Sequence, residues 1–278
     1  MLRDVQKIRL LRWLLSGLML VAVGGWSSSV VVSAETPSPK RLAVIIDDLG
    51  NKMQGTDEIL AMPVKLTVAV MPFLPSSEQD ARNAHERGHD VLIHLPLEPK
   101  QGNPKWLGPG AILSSMTDEE VRKKVEEAID NIPFAVGINN HMGSKITGDK
   151  RIMSVILDVC RARGLFFVDS KTNYWSVAGD ISIEKGLPEL HNDIFLDDVH
   201  TERHIAGQFS KIEELLEQRG KCVTIGHVGV KGEKTAKVLK QIIPEFQSKG
   251  IQFVGISEFA LEQKNGVELV PGSGITLP

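Results

Sequence analysis

The chain has 278 residues, of which 42% are hydrophobic and 24% charged, enough to bury one large core or two small ones. Thirty-two Lys and Arg against 35 Asp and Glu give a net charge of −3, which supplies no cationic field for nucleic acid. Two cysteines, Cys160 and Cys222, exclude a disulfide scaffold and a thiolate zinc module, and 25 glycines exclude a fibrous repeat.

The first 34 residues have the pattern of an export signal. Arg3, Lys7, Arg9 and Arg12 precede an apolar stretch from Leu14 to Gly25, and Val32-Ser33-Ala34 ends on small residues that suit a signal peptidase. Cleavage after Ala34 and a periplasmic or extracellular protein are expected, with the signal as the membrane contact. The competing reading is an uncleaved anchor over residues 13–32, close to the roughly 20 residues that span a bilayer, although Ser27, Ser28 and Ser29 dilute it. Without the segment's four cations and one anion, 28 basic and 34 acidic residues remain, a mature net charge of −6. Pro37 and Pro39 oppose helix and central strand. Residues 35–40 therefore read as a linker, 41–262 as the domain and 263–278 as a tail.

Eight short apolar runs follow: Leu42 to Ile46, Leu66 to Met71, Asp90 to His94, Ala135 to Ile138, Leu165 to Val168, Ile194 to Leu196, Cys222 to Ile225 and Ile251 to Gly255. Helical patterns separate them. Ser76-x-x-Gln79 and Thr117-x-x-Glu120 fit capping boxes, which predicts helix starts near Ser77 and Asp118. Later stripes keep the 3.6 period: Ile152, Val155, Ile156, Val159; Ile205, Phe209, Ile212, Leu216; and Val238, Leu239, Ile242, Phe246. Apolar strands alternating with one-sided helices predict an α/β parallel sheet covered by helices. No G-x-G-x-x-G turn follows the first strand, which opposes a dinucleotide fold and favours a closed barrel. Residues 96–116 read as a surface loop over the strand ends, where barrel sites sit. Cys160 and Cys222 fall on segments that read as buried, where a small hydrophobe is the bland role; a disulfide would need their Cα atoms within about 7 Å.

Polar residues collect where the strands end. Asp47-Asp48 closes the first, His94 the third, His141 follows the fourth, Asp169-Ser170 the fifth, and His227 follows Cys222-Val223-Thr224-Ile225-Gly226. In a parallel barrel these ends converge on one face. Two adjacent carboxylates there are costly unless a cation or proton intervenes; the bland alternative has one Asp capping a helix and the other facing water. Glu98, four residues after His94, is a further candidate ligand, and Asn139 and Asn140 could orient a ligand or substrate. His85, His89, His200 and His204 lack this placement and read as solvated. His191 and Asp197-Asp198 stay ambiguous, Asp197 being either a rim residue, a cap or a surface ion-pair partner. Oxygen and imidazole ligands without thiolates suit zinc or another divalent ion, whose natural chemistry is hydrolysis. Trp106 and Trp175 are the candidates for stacking on a sugar.

On these residues the sequence resembles the polysaccharide deacetylase superfamily, in particular its divergent branch of exported bacterial proteins, over about residues 41–262. Ile45-Ile46-Asp47-Asp48-Leu49-Gly50 is similar to the first motif, which implies Asp47 as catalytic base and Asp48 as metal ligand. Gly88 to Glu98 resembles the second motif, so His94 takes a ligand role, while Glu98 stands where a second metal-binding His belongs. Either Glu98 coordinates or His141 supplies the missing nitrogen; His141 is favoured, because Asn139-Asn140-His141-Met142-Gly143-Ser144 resembles a signature of the divergent branch. The Arg-Pro motif, whose Arg tunes the base, has no match. Thr224-Ile225-Gly226-His227-Val228-Gly229 resembles the last motif, implying His227 as general acid. The resemblance implies an irregular (β/α)7-type parallel barrel and a zinc-type metal. It also implies removal of an acetyl group from an amino sugar of an envelope polymer. The alternatives are a catalytically inactive carbohydrate- or envelope-binding barrel and a different amide or ester hydrolysis on the same rim. The sugar and the oligomeric state are left open.

Overall fold

The computed structural model describes residues 39–264 and Gly266, so the segment expected to be an export signal, most of the expected linker and nearly all of the expected tail lie outside the described residues. Among these, nine strands are found: β1 (Arg41–Leu49), β2 (Thr67–Val70), β3 (Asp90–Leu97), β4 (Ala135–Met142), β5 (Phe166–Asp169), β6 (Leu190–His191), β7 (Ile194–Phe195), β8 (Lys221–His227) and β9 (Gln252–Val254). Eight α-helices alternate with them: α1 (Thr56–Leu60), α2 (Ser77–Glu86), α3 (Asp118–Asn131), α4 (Lys150–Ala162), α5 (Ala178–Glu184), α6 (Glu202–Arg219), α7 (Gly232–Ser248) and α8 (Ile256–Lys264). None of these helices is long and apolar enough to cross a membrane.

The strand order is β6-β5-β4-β3-β2-β1-β8-β7, with every pairing parallel. β1 pairs with β8 along one edge and shares the other, β9 lying beside Arg41–Ala43 and β2 beside Ile45–Leu49. Leu190 pairs with Val168 at one end of the sheet and Ile194 with Thr224 at the other. Residues 190–195 thus cross from edge to edge, and the sheet curls on itself. Taken as one stave, that segment completes an irregular seven-stave barrel with β9 at its side.

Side-chain alternation sorts the core into two layers. Val44, Ile46 and Ile93 face outward and share one apolar cluster with the stripes of α4, α6 and α7. Ala43, Ile45, Ala69, Leu92, Phe166, Val168, Val223 and Ile225 form the inner layer, joined by Ile256 and Phe259 of α8. That helix seals the barrel at the strand N-termini. Its first amides are satisfied from the sheet, Ile256 N donating to Thr67 Oγ1 (2.9 Å) and Ser257 N to Asp90 Oδ2 (2.8 Å). Gly137 leaves room for Phe166: a Cβ there would lie 2.7 Å from the Phe166 ring and 2.8 Å from its carbonyl oxygen. Gly137→Ala is accordingly expected to cost about 1–3 kcal/mol by overpacking, read as a lower urea midpoint at unchanged m-value.

Several expectations need correction. β3 continues through Pro96 to Leu97, so the loop starts later than the proline suggests; beyond the end of β2, Ile112 N donates to the Pro96 carbonyl (2.9 Å). The Thr117–Glu120 capping box forms, but Ser76 makes no side-chain cap bond to α2. Its hydroxyl instead donates to Asp80 Oδ2 (2.9 Å) and accepts from Lys52 N (3.0 Å). His89 is buried rather than solvated, its ring lying between Leu66 N and the Leu60 carbonyl (both 3.2 Å), and burial lowers its pKa. Cys160 and Cys222 are free and buried, and burial pushes the Cys160 thiol up to about 12.

Candidate metal centre

Residues in register on parallel strands present side chains to the same face. Ile45 pairs with Ile225 in the inner layer, so Asp47 and His227, two residues on, also pair inward. By the same rule Leu92 pairs with Gly137, His94 with Asn139 and Pro96 with His141. A polar layer therefore sits on the apolar inner core at the mouth of the barrel.

Asp48 joins that layer through a break in the alternation. Consecutive strand residues face opposite sides, but the β1–β2 register shifts between Ile46 and Leu49, and Asp48 has φ 70°. Such a bulge re-aims a side chain, and Asp is among the few non-glycine residues that tolerate the left-handed region. Both carboxylates then reach one imidazole: His94 Nε2 lies 3.7 Å from Asp47 Oδ2 and 3.3 Å from Asp48 Oδ1.

His94 Nδ1 lies 2.8 Å from Asn139 Oδ1, which can only accept, so the ring proton sits on Nδ1. His141 Nε2 lies 3.0 Å from the Trp106 carbonyl oxygen, which fixes its proton on Nε2. The remaining lone pairs, on His94 Nε2 and His141 Nδ1, face each other across 3.1 Å. Asp48 Oδ1 completes the triangle at 3.3 and 3.1 Å and is buried without a hydrogen-bond partner. With both rings neutral, three electron-rich atoms converge with no proton between them. Tetrahedral bonds of about 2.0–2.1 Å would set ligand atoms about 3.3 Å apart, so this donor set fits a divalent first-row ion such as zinc. Burial works to raise the Asp48 pKa, but His141 and His94 hold it well below the ordinary carboxylate range. Burial likewise opposes charge on His94, and Asp47 and Asp48 overcome it and raise its pKa. The pocket favours a positive charge.

Two further groups flank the triangle. Asp47 is buried, with Oδ1 accepting from Asn139 Nδ2 (2.8 Å). Burial lifts its pKa above the usual value against the pull of His94 and His227, which suits a base. On the other side, His227 Nδ1 lies 2.8 Å from Asp197 Oδ1. Asp197 Oδ2 accepts from His227 N (2.8 Å) and from Thr235 Oγ1 (2.7 Å). Burial acts to lower the pKa of His227, but the bond to Asp197 raises it to about 9, and the side chain keeps 33% exposure. Among the described residues its Nε2 has no hydrogen-bond partner, and the ring lines the cleft beside the triangle.

The other candidates separate from this cluster. Glu98 Oε1 accepts from Lys145 Nζ (2.7 Å) and Oε2 from Ser114 N (2.6 Å); these bonds bring its pKa down to about 2 and tie loops together. Asp169 accepts from Lys171 N (2.8 Å), and Asn140 accepts from Ser170 N (2.9 Å), so both brace the loop after β5. His191 lies near Asp193 and Glu189, His85 stacks on Phe134, and His204 pairs with Asp198. A cleft of about 660 Å³ opens beside the triangle, lined by Asp48, His141, His227, Met53, Met71, Trp106 and His200 among others. Trp106 is 67% exposed there, whereas Trp175, 74% exposed, is not among its lining residues. Asp197 and the Trp106 carbonyl were not foreseen in these roles; the Gly226-His227 strand end carried no signal for its partner across the barrel seam.

A curled parallel barrel with an Asp–His–His cluster and an Asp-held His at the strand C-termini defines a deacetylase-like α/β barrel. The profile of the family described as divergent polysaccharide deacetylase matches residues 44–260, and the chain belongs to that family. It is 35% identical over 203 residues to the uncharacterized protein YibQ of Escherichia coli K12, covering 73% of this chain and 62% of that one. A Haemophilus influenzae protein is 32% identical over 200 residues, covering 72% and 71% of the respective chains. Among solved structures, uncharacterized protein ATU2773 of Agrobacterium tumefaciens C58 superposes with a TM-score of 0.74 at 21% identity, over 79% of this chain and 89% of that chain. The Xyl-CE4 domain of a multidomain xylanase from the hindgut metagenome of Trinervitermes trinervoides gives 0.51 at 12% identity, over 83% and 93%. These two share the fold.

Proposed function

We propose that the protein is an exported, zinc-dependent hydrolase of the cell envelope that removes acetyl groups from an amino sugar in a carbohydrate polymer. The observation that carries this reading is the triangle of Asp48 Oδ1, His94 Nε2 and His141 Nδ1 at 3.1–3.3 Å, flanked by Asp47 and by His227. Family membership supports the deacetylase chemistry, and the signal-like residues 1–34 support export.

Asp48, His94 and His141 would hold the ion, which when bound supplies Lewis acidity toward a water and an amide carbonyl. Asp47 takes the proton from the attacking water, its other oxygen being held by Asn139. His227, oriented by Asp197, gives a proton to the leaving amine. The exposed Trp106 ring at the cleft offers an apolar face to the sugar.

The test is acetate release from N-acetylated chitooligosaccharides and from peptidoglycan glycan by the zinc-loaded protein, with metal content measured in parallel. Release that tracks zinc occupancy is expected. Saturable sugar binding at full occupancy without acetate would replace the enzyme with a carbohydrate-binding barrel, and failure to take up any divalent ion would remove both the cofactor and the chemistry.

A further inference from the structure

We infer that Asn139 is the positioning residue of this site, its single amide fixing the lone pair that His94 presents and the orientation of Asp47. This rests on the hydrolase reading for the part that concerns the base, but not for the part that concerns the ligand.

Asn139 is fully buried on β4, directly in register with His94 on β3. Its two ends do different work. Oδ1 lies 2.8 Å from His94 Nδ1, and Nδ2 donates to Asp47 Oδ1 at 2.8 Å, across the barrel interior on β1. An ionised carboxylate only accepts, so Nδ2 must face Asp47; Oδ1 must then face His94, whose Nδ1 has to carry the proton. One amide orientation thus dictates one imidazole tautomer. The opposite tautomer would put a proton on Nε2, in the middle of the Asp48–His141 triangle. The same bond leaves Asp47 Oδ2 as the oxygen turned toward the centre, 3.7 Å from His94 Nε2. A neutral donor therefore holds the base here, where the resemblance leads one to look for an Arg that the sequence lacks. Hydrogen-bond partners of metal-binding histidines raise affinity by fixing tautomer and ring orientation.

The test titrates the full chain with cobalt(II) and follows its absorption spectrum, alongside kcat and KM for acetate release. Asn139→Leu, nearly isosteric and without polar atoms, should weaken cobalt binding roughly 10–100-fold and alter the spectrum. Asn139→Asp keeps an oxygen to accept from His94 Nδ1 but replaces the N–H that holds Asp47 with a second buried carboxylate, and two carboxyl groups in contact share one proton, which takes the free base from Asp47. Its cobalt affinity should stay within a few-fold of wild type, while kcat falls roughly 10–100-fold at unchanged KM. Wild-type cobalt affinity in Asn139→Leu, or an equal loss of affinity in both variants, overturns the inference. Should the Leu variant not fold, Asn139→Asp decides alone: cobalt retained with kcat lost upholds the role, cobalt lost rejects it. A wild-type chain that binds cobalt yet releases no acetate removes the hydrolase reading and leaves the ligand half of the inference standing.

Discussion

Replacement of His94 by alanine is expected to cost the protein its divalent ion, with an affinity loss beyond the roughly 10–100-fold typical of removing a hydrogen-bond partner behind a ligand. His94 is the buried corner of the triangle and touches both adjacent carboxylates. Metal content by atomic emission after dialysis, against a circular dichroism spectrum that reports an intact fold, checks it. Asp48→Asn is the cleaner companion, because asparagine tolerates the left-handed backbone at φ 70° that alanine would strain. Undiminished metal in both variants would dismantle the site.

Asp47→Asn should have the opposite profile, retaining metal and losing about 10²–10⁴-fold in turnover, the range that a positioned base contributes. The substitution is isosteric and keeps an oxygen for Asn139 to donate to, so packing is preserved. The acid partner makes a pH prediction. Its pKa, raised to about 9, keeps His227 protonated and competent through neutral pH, and turnover should fall as pH rises through about 9. Asp197→Asn removes the carboxylate that holds the proton there and should move this alkaline limb down toward the ordinary imidazole value near 6.5. An unmoved limb in that variant would remove His227 from the reaction.

Much of this arrangement was legible in the sequence because period and position carried it. All eight predicted apolar runs lie on or overlap strands, and Ile152, Val155, Ile156 and Val159 all face the core from α4. Asp47, Asp48, His94, His141 and His227 are found together because strand ends share a face in a parallel barrel. What stayed hidden depends on neighbours rather than on spacing. Leu190-His191 is too short a strand to leave a periodicity. The bulge at Asp48 arises from the shifted β1–β2 register, which no local pattern encodes. His89 is buried by its contacts with Leu60 and Leu66, from an earlier helix and strand approach, and nothing in Gly88-His89-Asp90 announces them. Glu98 occupies a ligand's sequence position, yet Lys145 and Ser114 claim it.

Residues 190–195 act as the clasp of a hoop, joined to each side by only two paired positions, Leu190 and His191 on one flank and Ile194 and Phe195 on the other. Segments with so few ladder bonds open at lower free energy than long central strands. The three triangle residues hang from β1, β3 and β4, on the far arc of the hoop. Asp197 follows the clasp directly and reaches His227 from there. An opening of the clasp would therefore loosen Asp197's hold on His227 first, while His227 itself stays paired with Asp47 through β8 and the Asp48–His94–His141 triangle keeps its own strands.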